Sequence, residues 1–146
     1  MTTIVNNYLI TLHRGKRVLE IGNDGNLKMV RSNGSKMELR IEKEEYDMRQ
    51  SISLYYNGKI VCFTQPTNGD NVGINSDGIK PFIVEKEKFS QNIIALTNDR
   101  LGDLALDDYH GEMDEEGPIK WWNVWKDKET QQNMIKPNQW FNVKFH

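Results

Sequence analysis

The triplet Ile-any-Leu recurs in this chain at a fixed interval, and that interval restricts the folds open to it. The triplet begins at Ile10, at Ile52 and at Ile94, so each copy follows the previous one by 42 residues. Each copy opens an alternating apolar run, which is followed by a polar turn and then by a second apolar run. Self-similarity at a fixed period indicates a repeat architecture. We therefore expect three structural units of similar fold.

The pattern inside each unit indicates β-strands. Short runs with period-two alternation are separated by turn residues roughly every 8–12 positions. Asn-Gly and Asp-Gly pairs, as at Asp24-Gly25 and Asn57-Gly58, supply the positive φ that tight hairpins require. Four runs per unit predict an all-β chain of twelve strands. The runs are 8–12, 17–21, 27–30 and 37–41, then 52–56, 60–64, 72–74 and 82–84, then 93–96, 101–106, 119–125 and 140–145.

Alternate apolar positions in these runs are predicted to form the core. They are Ile10, Leu12, Leu19, Ile21, Leu27, Leu39, Ile41, Ile52, Leu54, Val61, Phe63, Val72, Ile74, Phe82, Val84, Ile94, Leu96, Leu104, Leu106, Val143 and Phe145.

Three units of four strands are typical of a β-trefoil, a barrel capped by three hairpins with pseudo-threefold symmetry. The segment from Gly15 to Leu27, with its Gly-Lys start and its Asp-Gly turn before an apolar residue, resembles the fascin-like trefoil repeat. In the second unit Gly58-Lys59 is kept but the turn comes late. Ricin-type lectins share this fold, although their Gln-any-Trp motif is replaced here by adjacent Gln139-Trp140.

The resemblance implies one β-trefoil domain over residues 1–146, with repeats at about 7–47, 50–89 and 91–146. A calycin-type ligand barrel is the alternative architecture. It is disfavoured because a calycin has no threefold sequence period.

Composition excludes several classes of protein. A chain of 146 residues fits one domain, and a net charge of −2 provides no basic stripe for nucleic acid. The N-terminal sequence has no secretory pattern and no run is long enough to cross a bilayer, so we expect a cytoplasmic protein, or one released without a classical signal peptide. The single cysteine, Cys62, excludes an internal disulfide and is expected to be a small core residue.

Catalytic patterns are missing from the sequence. It contains no nucleophile motif, zinc-protease motif or Gly-rich phosphate loop. The three histidines, His13, His110 and His146, have no spacing that suggests shared metal ligation. We therefore expect a binding protein that is not an enzyme and that needs no cofactor or metal.

The third unit is longer than the others and is where function is most naturally added. The closing strands of the first two units are 43 residues apart (Ile41 to Val84), whereas Val143 follows Val84 by 59. The extra residues fall in the acidic segment 107–117 and in the segment 127–138. Loops carried on a rigid scaffold commonly form binding sites. The acidic segment could be a solvated loop, a calcium site without the EF-hand order, or a contact for sugar hydroxyls or protein.

The run 119–125 places tryptophans on both faces of one strand. Alternation puts Trp121 and Trp125 on one face and Trp122 on the other, so at least one indole should lie at the surface or under a loop. An exposed indole is suited to stacking on a sugar ring or to anchoring an interface. Alternatively, the insertion covers these rings as a satellite core.

These features predict a carbohydrate-binding protein with one site in the third unit. The candidate ligand-binding residues are Asp107, Asp108, Tyr109, His110, Trp122 and Asn123. The alternatives are a fascin-like actin or cytoskeleton-binding protein, and a trefoil protease inhibitor acting through loop 65–71 or 127–138. The expected partners are a glycan or protein ligand, with no nucleic acid and no membrane insertion. A second copy in a homodimer is a further candidate partner.

Overall fold

The computed structural model describes residues 2–47, 49–111 and 115–146. In these ranges the chain is built from β-strands, with one short 3-10 turn at Pro137–Gln139 and no α-helix, so the prediction of an all-β chain is confirmed. No helix in the described ranges has the length and apolar character needed to cross a membrane. The strands are β1 (Thr3–Arg14), β2 (Arg17–Ile21), β3 (Leu27–Val30), β4 (Met37–Glu44), β5 (Gln50–Tyr56), β6 (Lys59–Ile60), β7 (Phe82–Glu87), β8 (Ser90–Thr97), β9 (Leu104–Asp108), β10 (Gly117–Asn123), β11 (Trp125–Lys126), β12 (Asn133–Met134) and β13 (Phe141–Phe145).

Seven strands close into a barrel. Their antiparallel pairings run β1–β2–β3–β10–β9–β8–β13 and return to β1, where Leu12 is opposite Val143. Closing a sheet on itself removes the unpaired edges that would otherwise invite aggregation.

The remaining strands extend this barrel. β4 pairs with β1 over eight residue pairs, from Thr3–Glu44 to Ile10–Met37, and is followed outward by β5 and β6. β7 pairs with β8 on the other side. No ladder joins β5 to β7 in the described residues, but the Gln50 side chain bridges them by donating to Glu85 Oε1 at 2.9 Å.

The predicted runs correspond to strands in most places, with differences in the second and third units. In the run 60–64 only Ile60 belongs to a strand, and in the run 101–106 the strand begins at Leu104. The run 72–74 makes only isolated bridges, including Phe63 with Ile74, and no ladder. The run 119–125 is divided between β10 and β11. β11 then pairs with β12, which lies inside the predicted insertion 127–138, and the 3-10 turn follows it.

The core is one cluster of apolar side chains contributed mainly by the barrel strands and by β4, β5 and β7. Buried members that the sequence predicted are Ile10, Leu12, Leu19, Leu27, Leu39, Ile41, Leu54, Val61, Phe63, Val72, Ile94, Leu96 and Leu106. Ile21, Ile52, Ile74, Leu104 and Val143 are partly buried against the cluster. Trp121 is fully buried, and its indole Nε1 donates to the Thr64 carbonyl at 3.2 Å.

Two core predictions were wrong, and two further residues predicted to lie in the core are only half-buried. Phe82 is 44% exposed because β7 has the opposite alternation phase, which buries Ile83; a slip of one residue moves each side chain to the other face. Phe145 is 42% exposed and packs edge-on against Tyr8 outside the core, with ring centroids 5.5 Å apart. Cys62 is only half-buried. Val84 is also half-buried, so it contributes less to the core than predicted.

Candidate functional site

A buried ion cluster underlies the loops of the third unit. The carboxylate of Asp108 accepts hydrogen bonds from Arg14 Nε, at 3.0 Å, and from Arg17 Nη2. The Asp108 side chain is fully buried and both arginines are nearly so. Buried charges are tolerated when they are paired and hydrogen-bonded. This cluster therefore joins the β1–β2 hairpin to the end of β9.

Arg14 extends the cluster to the insertion. Its Nη1 donates to the carbonyl oxygens of Pro137 and Trp140, each at 2.7 Å, and Nη2 donates to Asn138 Oδ1 at 3.3 Å. These bonds fix the 3-10 turn over the barrel. The Gln139 side chain, also buried, donates to the carbonyl oxygens of Trp122 and Asn123 at 3.2 and 3.1 Å, which holds the same turn against β10.

An open groove of about 360 Å³ lies between this turn and strands β9 and β10. Its lining combines three aromatic rings, one acid, one lysine and one amide. The lining residues are Asp107, Tyr109, Trp122, Trp125, Lys136, Pro137 and Asn138.

The aromatic rings form the accessible wall of this groove. Tyr109 is 42% exposed and Trp125 is 52% exposed, whereas Trp122 is half-buried. The rings of Tyr109 and Trp122 are tilted against each other with centroids 5.1 Å apart. Lys120 Nζ lies 4.7 Å from the centroid of the Tyr109 ring. Exposed apolar ring faces beside polar groups are well suited to a ligand that is apolar on one side and polar at its edges.

Asp107 provides the acidic group of the groove. Burial raises the pKa of Asp107 above its usual range, although Lys136 and the hydrogen bond with the Gln139 side chain counteract part of that shift. Asp107 is only 5% exposed, and the accessible part of its carboxylate is a hydrogen-bond acceptor for a ligand hydroxyl group.

A second groove, of about 350 Å³, adjoins the first and shares Trp125 and Pro137 with it. Its other wall includes Lys86, Met134 and Trp140. Lys86 is exposed, and its Nζ lies 5.8 Å from the Trp140 ring centroid. The two grooves are therefore adjacent compartments on one face.

The six predicted site residues separate into two groups. Asp107, Tyr109 and Trp122 line the first groove. Asp108 lies beneath it with no exposed side chain, which gives it a structural position. His110 is exposed with its ring 5.2 Å from that of Tyr109, and Asn123 is exposed with its N–H bonded to Asn68 Oδ1 at 2.9 Å; neither lines the groove.

Sequence reasoning missed the contribution of the second insertion. Lys136, Pro137 and Asn138 form one wall of the groove. The extra length of 127–138 was the available signal, but nothing in the pattern indicated that this segment folds back toward β9. Glu112, Met113 and Asp114 of the predicted acidic segment lie outside the described residues.

Two of the histidines meet on one threonine. The Thr11 hydroxyl lies 2.6 Å from His13 Nε2 and 2.8 Å from His146 Nε2. Burial lowers the pKa of His13, and the nearby charges of Lys144 and His146 lower it further. Within the described residues no three His, Cys, Asp or Glu side chains come close enough to hold a metal ion.

No protein-family model matches the chain, and no match is found among curated proteins or among solved structures. The function is therefore argued from the grooves themselves.

Proposed function

We propose that the chain is a β-trefoil that binds carbohydrate through the first groove of its third unit. The trefoil part rests on which strands pair. The opening and closing strands of the three predicted units are β1 and β4, β5 and β7, and β8 and β13. Five of the six contacts that a ring of these strands needs are ladders: β1–β4, β4–β5, β7–β8, β8–β13 and β13–β1. The sixth, between β5 and β7, is bridged by Gln50 and Glu85.

Contacts between the three inner hairpins support the same proposal, where each inner hairpin consists of the two middle runs of one predicted unit. The first hairpin meets the second at Asn26 and Gly73, and the second meets the third at Asn71 and Lys120. The third returns to the first through β10 and β3. Three hairpins that touch each other in a cycle are what a threefold cap requires. Amide hydrogen exchange tests this arrangement, because a trefoil protects β5 amides that face β7, whereas an open gap leaves them in fast exchange.

Carbohydrate binding is supported by the coincidence of exposed rings and a hydrogen-bonding carboxylate in one groove. Sugar rings have apolar C–H faces and hydroxyl edges, so they suit the Tyr109 and Trp125 rings with the Asp107 carboxylate beside them. Substrate-sized sites are commonly concave and mostly apolar, with a few convergent polar groups. The observation that carries the proposal is the convergence of these three side chains.

One site per chain is proposed despite the repeated units. All four tryptophans, at positions 121, 122, 125 and 140, belong to the third unit. The insertion that forms the second wall of the groove also belongs only to that unit. The equivalent surfaces of the first two units therefore lack both tryptophan rings and the wall.

A glycan array followed by titration tests the proposal. We expect the protein to bind a defined group of glycans, and Trp125→Ala and Tyr109→Ala each to weaken the best of them about tenfold, which corresponds to about 1.4 kcal/mol. Tyr46→Ala is the matched control, because Tyr46 is 85% exposed and lies outside both grooves. Unchanged binding in both groove variants would place the site elsewhere. An array without any binder would reject carbohydrate binding.

A further inference from the structure

We infer that the ligand is an acidic oligosaccharide of at least two sugar rings, with a neutral ring in the first groove and an anionic ring near Lys86 in the second. This inference rests on the proposed function, since it specifies the class of glycan.

The length of the ligand follows from the continuity of the two grooves. They share Trp125 and Pro137, and both are open to solvent. Trp125 is half exposed between them, so a ligand stacked on its indole has room to continue on both sides. A single sugar would leave one groove filled only with water.

The two grooves differ in charge. In the first, Asp107 and Lys136 are close enough to interact electrostatically and offset each other. In the second, the charged lining residues are Arg14 and Lys86, and both are cationic. Arg14 is buried with its nitrogens directed to Asp108 and to backbone carbonyls, so the accessible charge is that of Lys86.

Lys86 is placed to meet an anion. It forms no ion pair within the described residues, and its Nζ lies 5.8 Å from the centroid of the Trp140 ring. An ammonium group donates three hydrogen bonds, and a carboxylate or sulfate ester is the group that it binds most strongly. A sugar stacked beside Trp140 would present such a group to Lys86 at the rim. Because this site is exposed to solvent, the expected gain is modest.

The test compares one oligosaccharide backbone in matched forms. Lactose, 3′-sialyllactose and 3′-sulfolactose carry no anion, a carboxylate and a sulfate respectively, and other backbones that bind on the array are prepared in the same three forms. We expect the anionic forms to bind about threefold to fivefold tighter than the neutral form in low salt, as expected for an exposed ion pair. A preference for one anionic form identifies whether carboxylate or sulfate is the natural group. The preference should shrink as salt is raised, because screening weakens exposed charge pairs.

Two lysine variants provide the control. Lys86→Gln should reduce the ratio of anionic to neutral affinity to about one. Lys88→Gln should retain the preference, because Lys88 is exposed two residues away and lines neither groove.

The outcomes separate this inference from the proposed function. Equal affinity for neutral and anionic forms, or a preference that persists in Lys86→Gln, rejects the acidic ligand but leaves glycan binding intact. Anionic binding that is undiminished in Trp125→Ala also rejects it, because the contact would then be non-specific attraction of charge. Failure to bind any form of any backbone rejects the proposed function as well.

Discussion

Replacing Asp108 by Asn is the sharpest perturbation of the scaffold beneath the groove. The substitution keeps the volume of the side chain and removes its charge. Among the described residues, Asp108 is the anion that both Arg14 and Arg17 bind. The substitution would therefore leave the two guanidinium groups without that negative charge. Arg14 would keep its bonds to the carbonyl oxygens of Pro137 and Trp140. Arg17 would keep at most one neutral hydrogen bond, from Nη2 to the new amide oxygen, because its Nε and Nη1 already lack hydrogen-bond partners.

The expected cost follows from that burial. Removing one partner of a buried ion pair destabilises a protein by about 3–5 kcal/mol, because an uncompensated charge stays inside. A domain of this kind has a total stability of about 5–15 kcal/mol, so the loss is a large fraction of it. At about 2–4 °C per kcal/mol for a chain of this size, the melting temperature should fall by about 6–20 °C.

Urea denaturation monitored by tryptophan fluorescence measures this loss. Arg17→Met should cost less than Asp108→Asn, since it removes two unpartnered buried nitrogens and leaves Asp108 paired with Arg14. Asp47→Ala is the control, because it breaks an ion pair with Arg49 at the surface and should change stability little. The reasoning is refuted if Asp108→Asn unfolds at the wild-type midpoint, or if Arg17→Met is the more destabilising of the two.

Three further predictions follow from the buried polar groups and one tight turn. Asp107→Asn should leave the fold intact at pH 7, since it removes a buried charge. In the wild type, calorimetry should show glycan affinity falling on acidification from a pH above the usual aspartate pKa of about 3.9, because the pKa of Asp107 is raised; the variant should not show this fall. Because the pKa of His13 is lowered, the unfolded chain binds the proton more readily, so the free energy of unfolding is highest above the unfolded pKa of about 6.5 and falls as the pH drops through the folded value. Urea midpoints measured from pH 8 to 5 should therefore decline less in His13→Gln than in the wild type. Gly78→Ala should destabilise the chain by about 1–3 kcal/mol or more in thermal melts, because the new Cβ would lie 1.9 Å from the Phe63 carbonyl oxygen. Ser76→Ala, at an exposed position of the same turn, should leave the melting temperature unchanged.

The fold class was predictable because it depends on local patterns. Alternation in runs such as Ile10–Leu12 and Leu19–Ile21 determines which side chains face inward, and Asp-Gly or Asn-Gly turns determine where strands end. The same rule failed at β7, because Phe82, Ile83 and Val84 are three consecutive apolar residues. Alternation alone does not say which of them face the core. Only pairing with β8 decides which phase is buried.

The candidate site was only partly predictable because it depends on contacts distant in sequence. Tyr109, Trp122 and Asp107 were found from their composition and their position in the longest unit. Asp108 was predicted to meet the ligand, but its burial depends on Arg14 and Arg17, which lie more than 90 residues earlier in the chain. No local pattern distinguishes two adjacent aspartates whose side chains alternate between the groove and the buried cluster.

The placement of Lys136 and Asn138 has the same origin. Their segment reaches the groove because Arg14 binds the carbonyl oxygens of that segment, and because Gln139 within it binds the carbonyl oxygens of β10. Such bonds depend on the assembled barrel.

The four tryptophan indole N–H signals, followed by NMR during titration with the best array glycan, test the proposal of one site per chain most directly. We predict that the signals of Trp125 and Trp122 shift and saturate at one glycan per chain, while the signal of Trp121, which is buried and bonded to the Thr64 carbonyl, stays in place. Saturation at three glycans per chain, or shifts confined to backbone amides of the first two units with all four indoles unchanged, would contradict the account.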